Sequence, residues 1–157
     1  MKYAVVTLPR FADAGRKISE FLEADLHLYH AEIFRELTGT ADCIVALMSS
    51  GIAVRGVAPY LTDKWHDAAL VVVTPDLSYA IPVLGGHHGA NDCVKRLAAL
   101  GITPVISTAT EVTGKVSVEE TAKRIGCVVV NRSSTRKVNG AVLDSCVLLG
   151  LSDGASA

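Results

Sequence analysis

Several features that would define a class of protein are missing from this chain of 157 residues. Its four cysteines lie in apolar stretches and form no C-x-x-C pair, which argues against a zinc ribbon or a thiol redox motif. No segment approaches the roughly 18 consecutive apolar residues of a membrane span. The apolar start is short and is followed by Arg10 and Asp13, unlike a signal peptide. We therefore expect a cytoplasmic protein without membrane association, whose cysteines are buried.

An excess of charge of either sign is also missing. The 15 Lys and Arg side chains nearly balance the 16 Asp and Glu side chains, for a net charge of -1. Non-specific nucleic-acid binding needs a basic face, so we expect no nucleic-acid partner. Nucleotide motifs are absent too, because the chain has neither the G-x-G-x-x-G spacing of a dinucleotide site nor a G-K-[ST] sequence.

Short β-branched runs alternate with segments of helical apolar spacing. Strands are predicted at 3–8, 26–29, 43–48, 70–74, 79–84, 104–107 and 128–131. Helices are predicted at 11–24, 31–37, 52–61, 90–100, 117–126, where Ser117 opens a capping box, and 134–147. This alternation predicts one α/β domain over 1–157, with 114–157 as a C-terminal extension of it. The expected fold is three-layered and Rossmann-like, a mostly parallel sheet with helices on both faces.

The fourth and fifth strands are joined by a short connection, which predicts an antiparallel hairpin within the sheet. Ligands of open α/β sheets bind outside the carboxyl ends of the strands. Two glycine-containing turns follow predicted strands, one at 49–51 and the other at 85–91. We expect both turns to lie on one rim of the sheet.

The segment best suited to chemistry reads Gly85-Gly86-His87-His88-Gly89-Ala90-Asn91. The glycines let the backbone turn sharply and approach a ligand closely. Paired histidines supply a general base or a metal ligand near neutral pH. The helix that follows can direct N–H groups at a developing oxyanion, and Asn91 can cap this helix or hold the ligand. The alternative is a tight turn with exposed histidines.

Two further segments carry residues suited to binding. Ser49, Ser50 and Gly51 open a predicted helix and can cradle an anion, and Arg55, one turn further on, can bind a carboxylate. The alternative is a simple N-cap with a surface arginine. Hydroxyls of 107–111, after the sixth strand, can hydrogen-bond a ligand at the same rim. Those hydroxyls include Thr108 and Thr110, and the alternative is an ordinary loop.

The remaining histidines are weaker candidates. His27 and His30 flank the end of the second strand, where ordinary strand histidines are more usual than a metal site. His66, next to Trp65, is expected in a surface loop.

A series of short blocks runs along most of the chain, from about 41 to 143. The blocks are Met48-Ser49-Ser50-Gly51-Ile52-Ala53-Val54-Arg55, Ala58-Pro59-Tyr60-Leu61, Asp63-Lys64, Asp67, Leu70-Val71-Val72-Val73, Leu84-Gly85-Gly86-His87-His88-Gly89-Ala90-Asn91, Thr108-Ala109-Thr110-Glu111-Val112, Val138-Asn139 and Leu143. Their order and spacing resemble the CbiG family of cobalamin biosynthesis. Each block alone is weak, and their common order is what makes the pattern specific.

The resemblance implies a cobalt-precorrin-5A hydrolase, an enzyme that opens a δ-lactone on a cobalt-tetrapyrrole and releases acetaldehyde by breaking a carbon–carbon bond. His87 or His88 would act as the base. The substrate-binding residues would be Ser49, Ser50, Gly51, Arg55, Gly85, Gly86, Gly89, Asn91, Thr108 and Thr110. No separate cofactor or metal site is expected, because cobalt arrives within the substrate.

The resemblance leaves a second function open. Full-length members usually carry a further C-terminal domain, so the alternatives are a separate protein that supplies this domain or a reduced relative with a different task. A homodimer is also open, as for many α/β proteins. The alternative function is a non-catalytic tetrapyrrole-binding protein or a subunit of a larger cobalamin-biosynthesis complex.

Overall fold

The computed structural model describes residues 1–144. Positions 145–147 of the last predicted helix, Cys146 and the glycine-rich end lie outside the described residues. The chain divides into two compact units, of which one is Met1–Ile106 and the other begins at Ser107. This division comes before the extension that we expected to begin near 114.

The first unit is built on a six-stranded sheet with the order β2-β1-β3-β4-β5-β6. The strands are β1 (Tyr3–Thr7), β2 (Asp25–Leu28), β3 (Cys43–Leu47), β4 (Ala69–Val73), β5 (Tyr79–Leu84) and β6 (Thr103–Pro104). β2, β1, β3 and β4 are mutually parallel, whereas β5 runs antiparallel to β4 and parallel to β6. The predicted hairpin and the mostly parallel α/β fold are both confirmed.

Helices cover both faces of this sheet. They are α1 (Ala12–Leu22), α2 (Ile33–Leu37), α3 (Ser50–Val57) and α4 (Ala90–Leu97). β1, β3 and β4 are buried along their whole length, as continuous apolar runs between two helical layers require. Alternate residues of these strands pack against α1 and α4 on one face and against α2 and α3 on the other.

The buried cysteines lie in this first unit. Cys43 of β3 and Cys93 of α4 are fully buried within the core, as predicted for small apolar side chains. Cys127, in the second unit, is only partly buried.

The described part of the second unit contains three α-helices, α5 (Ala109–Val112), α6 (Val118–Arg124) and α7 (Thr135–Asp144), and a short 3-10 helix at Arg132–Ser134. Ser117 caps α6 as predicted, because its hydroxyl accepts a hydrogen bond from the Glu120 N–H at 3.1 Å. Asn139 of α7 joins the two helices, since its side chain accepts from the Val118 N–H and donates to Glu119. The segment 107–111 was predicted to bind a ligand or to be an ordinary loop, and most of it forms the helix α5.

The predicted seventh strand is wrong. Val128 and Val130 are 84% and 88% exposed, and 128–131 is in no ladder of the described residues. β-branched composition favours an extended backbone, but a strand also needs a neighbour with which to pair. The sixth strand is shorter than predicted for the same reason, because only Thr103–Pro104 pairs with β5.

Within residues 1–144, no helix has the length and apolarity needed to cross a membrane.

The packing of α3 against α2 rests on a glycine. A Cβ built at Gly56 would lie 2.4 Å from the ring of Phe34, whose side chain is 1% exposed and cannot move aside. We expect Gly56→Ala to lower the free energy of unfolding by about 1–3 kcal/mol, measured by urea unfolding. Gly51→Ala in the same helix is the control, because its Cβ would meet only the mobile end of Arg55. Equal stability of the two variants would contradict this packing.

The β4–β5 turn should make stability depend on pH. Hydrogen bonds from the Ser78 and Thr74 hydroxyls, with the Ser78 N–H, hold the pKa of Asp76 at about 2, below its ordinary 3.8. A lowered pKa stabilises the fold above pH 3.8, and this stabilisation is lost as the pH falls through about 2. We expect Asp76→Asn to unfold at lower urea than wild type at pH 7, with the difference shrinking towards pH 2. Ser78→Ala should reproduce part of the effect.

Candidate functional site

The reversed direction of β5 separates the two turns that we expected to share a rim. Leu84, the end of β5, pairs with Leu70 near the start of β4, so the turn after β5 lies where β1, β3 and β4 begin. Ser49 follows β3 and lies where those strands end. The single-rim prediction is therefore wrong, because carboxyl ends of antiparallel strands point to opposite edges. We call these the amino edge and the carboxyl edge of the parallel strands.

At the amino edge, the glycine–histidine turn is tightly folded. Gly85 has a φ of +67°, and a Cβ there would lie 3.0 Å from the Ala69 Cα at the start of β4. The Gly85 carbonyl accepts hydrogen bonds from the N–H groups of His88 and Ala90, at 2.8 and 3.1 Å. The turn thus needs glycine both for its backbone angle and for its close approach to β4.

The start of α4 differs from the prediction at Asn91. Gly89, with a φ of +117°, takes the capping position, and Asn91 is the second residue of the helix. Asn91 is 3% exposed, so its side chain is buried, and it follows the capping position instead of occupying it. The capping role predicted for Asn91 is therefore wrong, and ligand binding by this residue stays a prediction.

A cavity of about 410 Å³ opens at the amino edge. Its walls come from the first residue, the segment before β3, the loop before β4 and the turn after β5. The lining residues are Met1, Gly39, Thr40, Ala41, Asp42, Trp65, His66, Asp67, Ala68 and His88. Of the described histidines in the turn, His88 is thus the one that lines the cavity.

Trp65 packs against one histidine of the cavity wall, His88, and precedes the other, His66, in sequence. The His88 ring packs edge-on against the Trp65 ring, with centroids 5.0 Å apart and planes at 72°. The Lys64 ammonium lies 4.6 Å from the Trp65 ring centroid. His66 follows Trp65 directly in sequence and lines the same cavity.

The His66 ring contacts a carboxylate within a loop that is stabilised by its own hydrogen bonds. Its Nδ1 lies 2.5 Å from Asp63 Oδ2, while the other oxygen of Asp63 accepts from the Trp65 N–H at 2.7 Å. These contacts, led by the one from His66, lower the pKa of Asp63 from 3.8. Asp67 closes the loop by accepting from the N–H and the hydroxyl of Thr62, at 2.8 and 2.9 Å.

The carboxyl edge carries the other predicted binding turn. Ser49 and Ser50 are exposed at the start of α3, with Ser49 in the capping position. Arg55 donates to the Gly51 carbonyl of its own helix at 3.3 Å. β3 has five residues, so this turn lies about 16 Å from the amino edge at roughly 3.3 Å per residue. The binding role of this turn stays a prediction, and none of its residues lines the amino-edge cavity.

Thr108 and Thr110 belong to the second unit. Thr108 precedes α5, and Thr110 lies within it with 4% of its surface exposed. Their binding role also stays a prediction.

Sequence patterns missed most of the cavity wall. The predicted site residues did not include Asp42, Asp63 or Asp67. His66 was predicted only in a surface loop. One signal was available, since the predicted hairpin already implied that the turn after β5 would lie beside the loop that precedes β4.

Metal ligation finds no support in residues 1–144, where no group of three or more His, Cys, Asp or Glu side chains is placed to hold an ion.

The family model described as cobalamin synthesis G N-terminal matches residues 32–111. This match spans half of the chain and covers the glycine–histidine turn together with both loops of the cavity wall. The chain belongs to this family.

Proteins similar to this member of the family support the assignment. The cobalt-precorrin-5A hydrolase of Priestia megaterium is 36% identical over 103 residues, 64% of this chain and 28% of the relative. That of Salmonella typhimurium is 38% identical over 84 residues, 52% of this chain and 24% of the relative. The chain thus spans less than a third of these relatives.

A solved structure extends the similarity to the whole chain. A cobalamin biosynthesis protein G homolog from Sulfolobus solfataricus superposes with a TM-score of 0.64 at 28% identity. The superposition covers 97% of this chain and 51% of the homolog. The family fold therefore accounts for the sheet and helices described above.

The Gly85 turn provides a test of the site's architecture. An alanine at position 85 must adopt a left-handed backbone, which costs about 1–2 kcal/mol, and its Cβ would also crowd the Ala69 Cα. Gly101 has a φ of +81° and open space around it, so Gly101→Ala incurs the cost of the left-handed backbone without a steric clash. We expect the first variant to unfold at lower urea than the second. Equal midpoints would show that the turn does not press against β4.

Proposed function

We propose that the chain acts in cobalamin biosynthesis as the lactone-opening part of a cobalt-precorrin-5A hydrolase. The observation that carries the proposal is the cavity at the amino edge, whose lining lies within the family match except for Met1 and includes two imidazoles, His66 and His88. The relatives named for this activity supply the substrate class.

The size of the cavity limits what part of the substrate it holds. A volume of about 410 Å³ is near the lower end of the 300–1,000 Å³ of small-molecule sites. We therefore propose that it receives the lactone-bearing edge of the macrocycle. Asp42 and Asp67 in the wall disfavour the acidic side chains of such a substrate, which would remain outside the cavity.

The proposed reaction begins with water. Its oxygen bonds to the lactone carbonyl carbon, the ring C–O bond breaks, and the water proton reaches the leaving oxygen through an imidazole. The products of this step are a carboxylic acid and an alcohol. Loss of the alcohol proton as the adjacent carbon–carbon bond breaks then forms acetaldehyde, and the macrocycle keeps the electron pair and gains a proton.

His88 is the proposed proton-transfer residue of the glycine–histidine turn, because it lines the cavity. His87 remains a candidate as its sequence neighbour.

The test is incubation of the purified chain with cobalt-precorrin-5A, with assays for acetaldehyde and for the mass of the corrinoid. We expect acetaldehyde release that falls about 100-fold or more in His88→Ala. Binding is followed by the fluorescence of Trp65, the single tryptophan, which lines the cavity. Unchanged turnover in a His87/His88 double alanine variant would contradict the proposed roles.

A second candidate function is binding of the tetrapyrrole without catalysis, which needs only the amino-edge cavity and its aromatic wall at Trp65. The chain would then be a non-catalytic tetrapyrrole-binding protein or a subunit of a larger cobalamin-biosynthesis complex. Quenching of Trp65 by the corrinoid without acetaldehyde release would support this second function.

A further inference from the structure

We propose that His66 is the general base of the lactone-opening step and that Asp63 is its positioning residue, an assignment that rests on the proposed function. His88, which also lines the cavity and packs against Trp65, then serves as the acid that delivers a proton to the leaving oxygen. The juxtaposition that carries the inference is a carboxylate–imidazole pair whose imidazole, His66, lines the amino-edge cavity together with a second imidazole, His88.

The pairing with Asp63 fixes which nitrogen of His66 is available. A carboxylate can only accept hydrogen bonds, so Nδ1 of His66 must carry the proton that lies in the 2.5 Å contact. In the neutral ring, Nε2 then bears the lone pair. A base needs this free lone pair, and a fixed tautomer supplies it without prior rearrangement.

The loop keeps the pair in place before substrate arrives. The Asp63 carbonyl accepts from the N–H groups of His66 and Asp67, at 3.2 and 2.9 Å. One carboxyl oxygen of Asp63 is fixed by the Trp65 N–H, which leaves the other to orient the imidazole. The loop is closed by the bonds from Thr62 to Asp67. Asp63 thus acts through His66.

With two imidazoles in the cavity, each of the two proton transfers of the lactone opening can have its own residue. The lactone opening requires removal of a proton from water and delivery of a proton to the leaving oxygen. His66 takes the water proton at Nε2 as the oxygen attacks, and His88 in its protonated form donates to the oxygen that leaves. Passage of a proton from His66 back to His88 through solvent restores both rings, so no net charge accumulates.

The pair contributes little to stability, so variants can be compared as folded proteins. The side chains of His66 and Asp63 are 69% and 45% exposed, and exposed ion pairs stabilise a fold only weakly. A matched control exists at the carboxyl edge, where His30 lies 3.6 Å from Glu36 with similar exposure. His30→Ala removes an equivalent exposed pair away from the cavity.

The experiment measures acetaldehyde release from cobalt-precorrin-5A by the full chain. We expect His66→Ala to lower kcat about 100-fold or more, with KM little changed, and His30→Ala to match wild type. Added imidazole should restore part of the rate to His66→Ala, because it can take the place of the missing base. Asp63→Asn should lose less than His66→Ala, with Asp63→Glu closer to wild type.

A second measurement does not depend on turnover. Nitrogen-15 NMR of the imidazoles should show His66 in the Nδ1–H form when neutral, and Asp63→Asn should release that tautomer. A neutral Nε2–H form in the wild-type chain would overturn the inference, whatever the rate.

The outcomes separate the two proposals. Wild-type turnover with full activity in His66→Ala would overturn the role of His66 and leave the hydrolase proposal intact. A rate loss in His66→Ala that imidazole does not restore, with KM raised instead of kcat lowered, would also overturn it. Absence of acetaldehyde from the wild-type chain would overturn the hydrolase proposal and the role of His66 with it.

Discussion

The antiparallel pairing of β5 with β4 is the constraint on which the rest of the first unit depends. Because β5 reverses direction, the turn that follows it returns to the edge where the parallel strands begin. Its close approach to β4 is permitted by Gly85, which has no side chain to meet Ala69. Without that reversal, the histidines would lie with Ser49 at the carboxyl edge. The cavity therefore exists because one strand of the sheet breaks the common direction.

The wall of the cavity combines distant and local contacts. His88 comes to Trp65 through strand pairing, across more than twenty positions of sequence. His66 is placed by neighbours only three residues away. The first kind of contact stabilises and locates the site, and the second sets the orientation of a ring within it. Since exposed ion pairs add little stability, the local contact has its main consequence in geometry.

How far the sequence predicted the structure differs between elements. Buried strands such as 43–47 and 69–73 were predictable, because burial on both faces demands continuous apolar runs. The hairpin was predictable from a short connection. The location of the site was not, since the rule about carboxyl ends applies to parallel strands and β5 is not one of them. The failure at 128–131 has another cause, because β-branched residues do not themselves provide a neighbouring strand. The pairing of His66 with Asp63 is a side-chain geometry that spacing leaves undetermined.

The cavity is lined mainly by segments that connect the secondary-structure elements rather than by the sheet itself. Besides Met1, its walls come from 39–42, from 65–68 and from the turn that holds His88, three stretches far apart in sequence. Connecting loops accept insertions and exchanges that a strand in a buried ladder cannot accept. Substitutions in these loops can therefore change the shape and chemistry of the cavity while the register of the sheet stays the same.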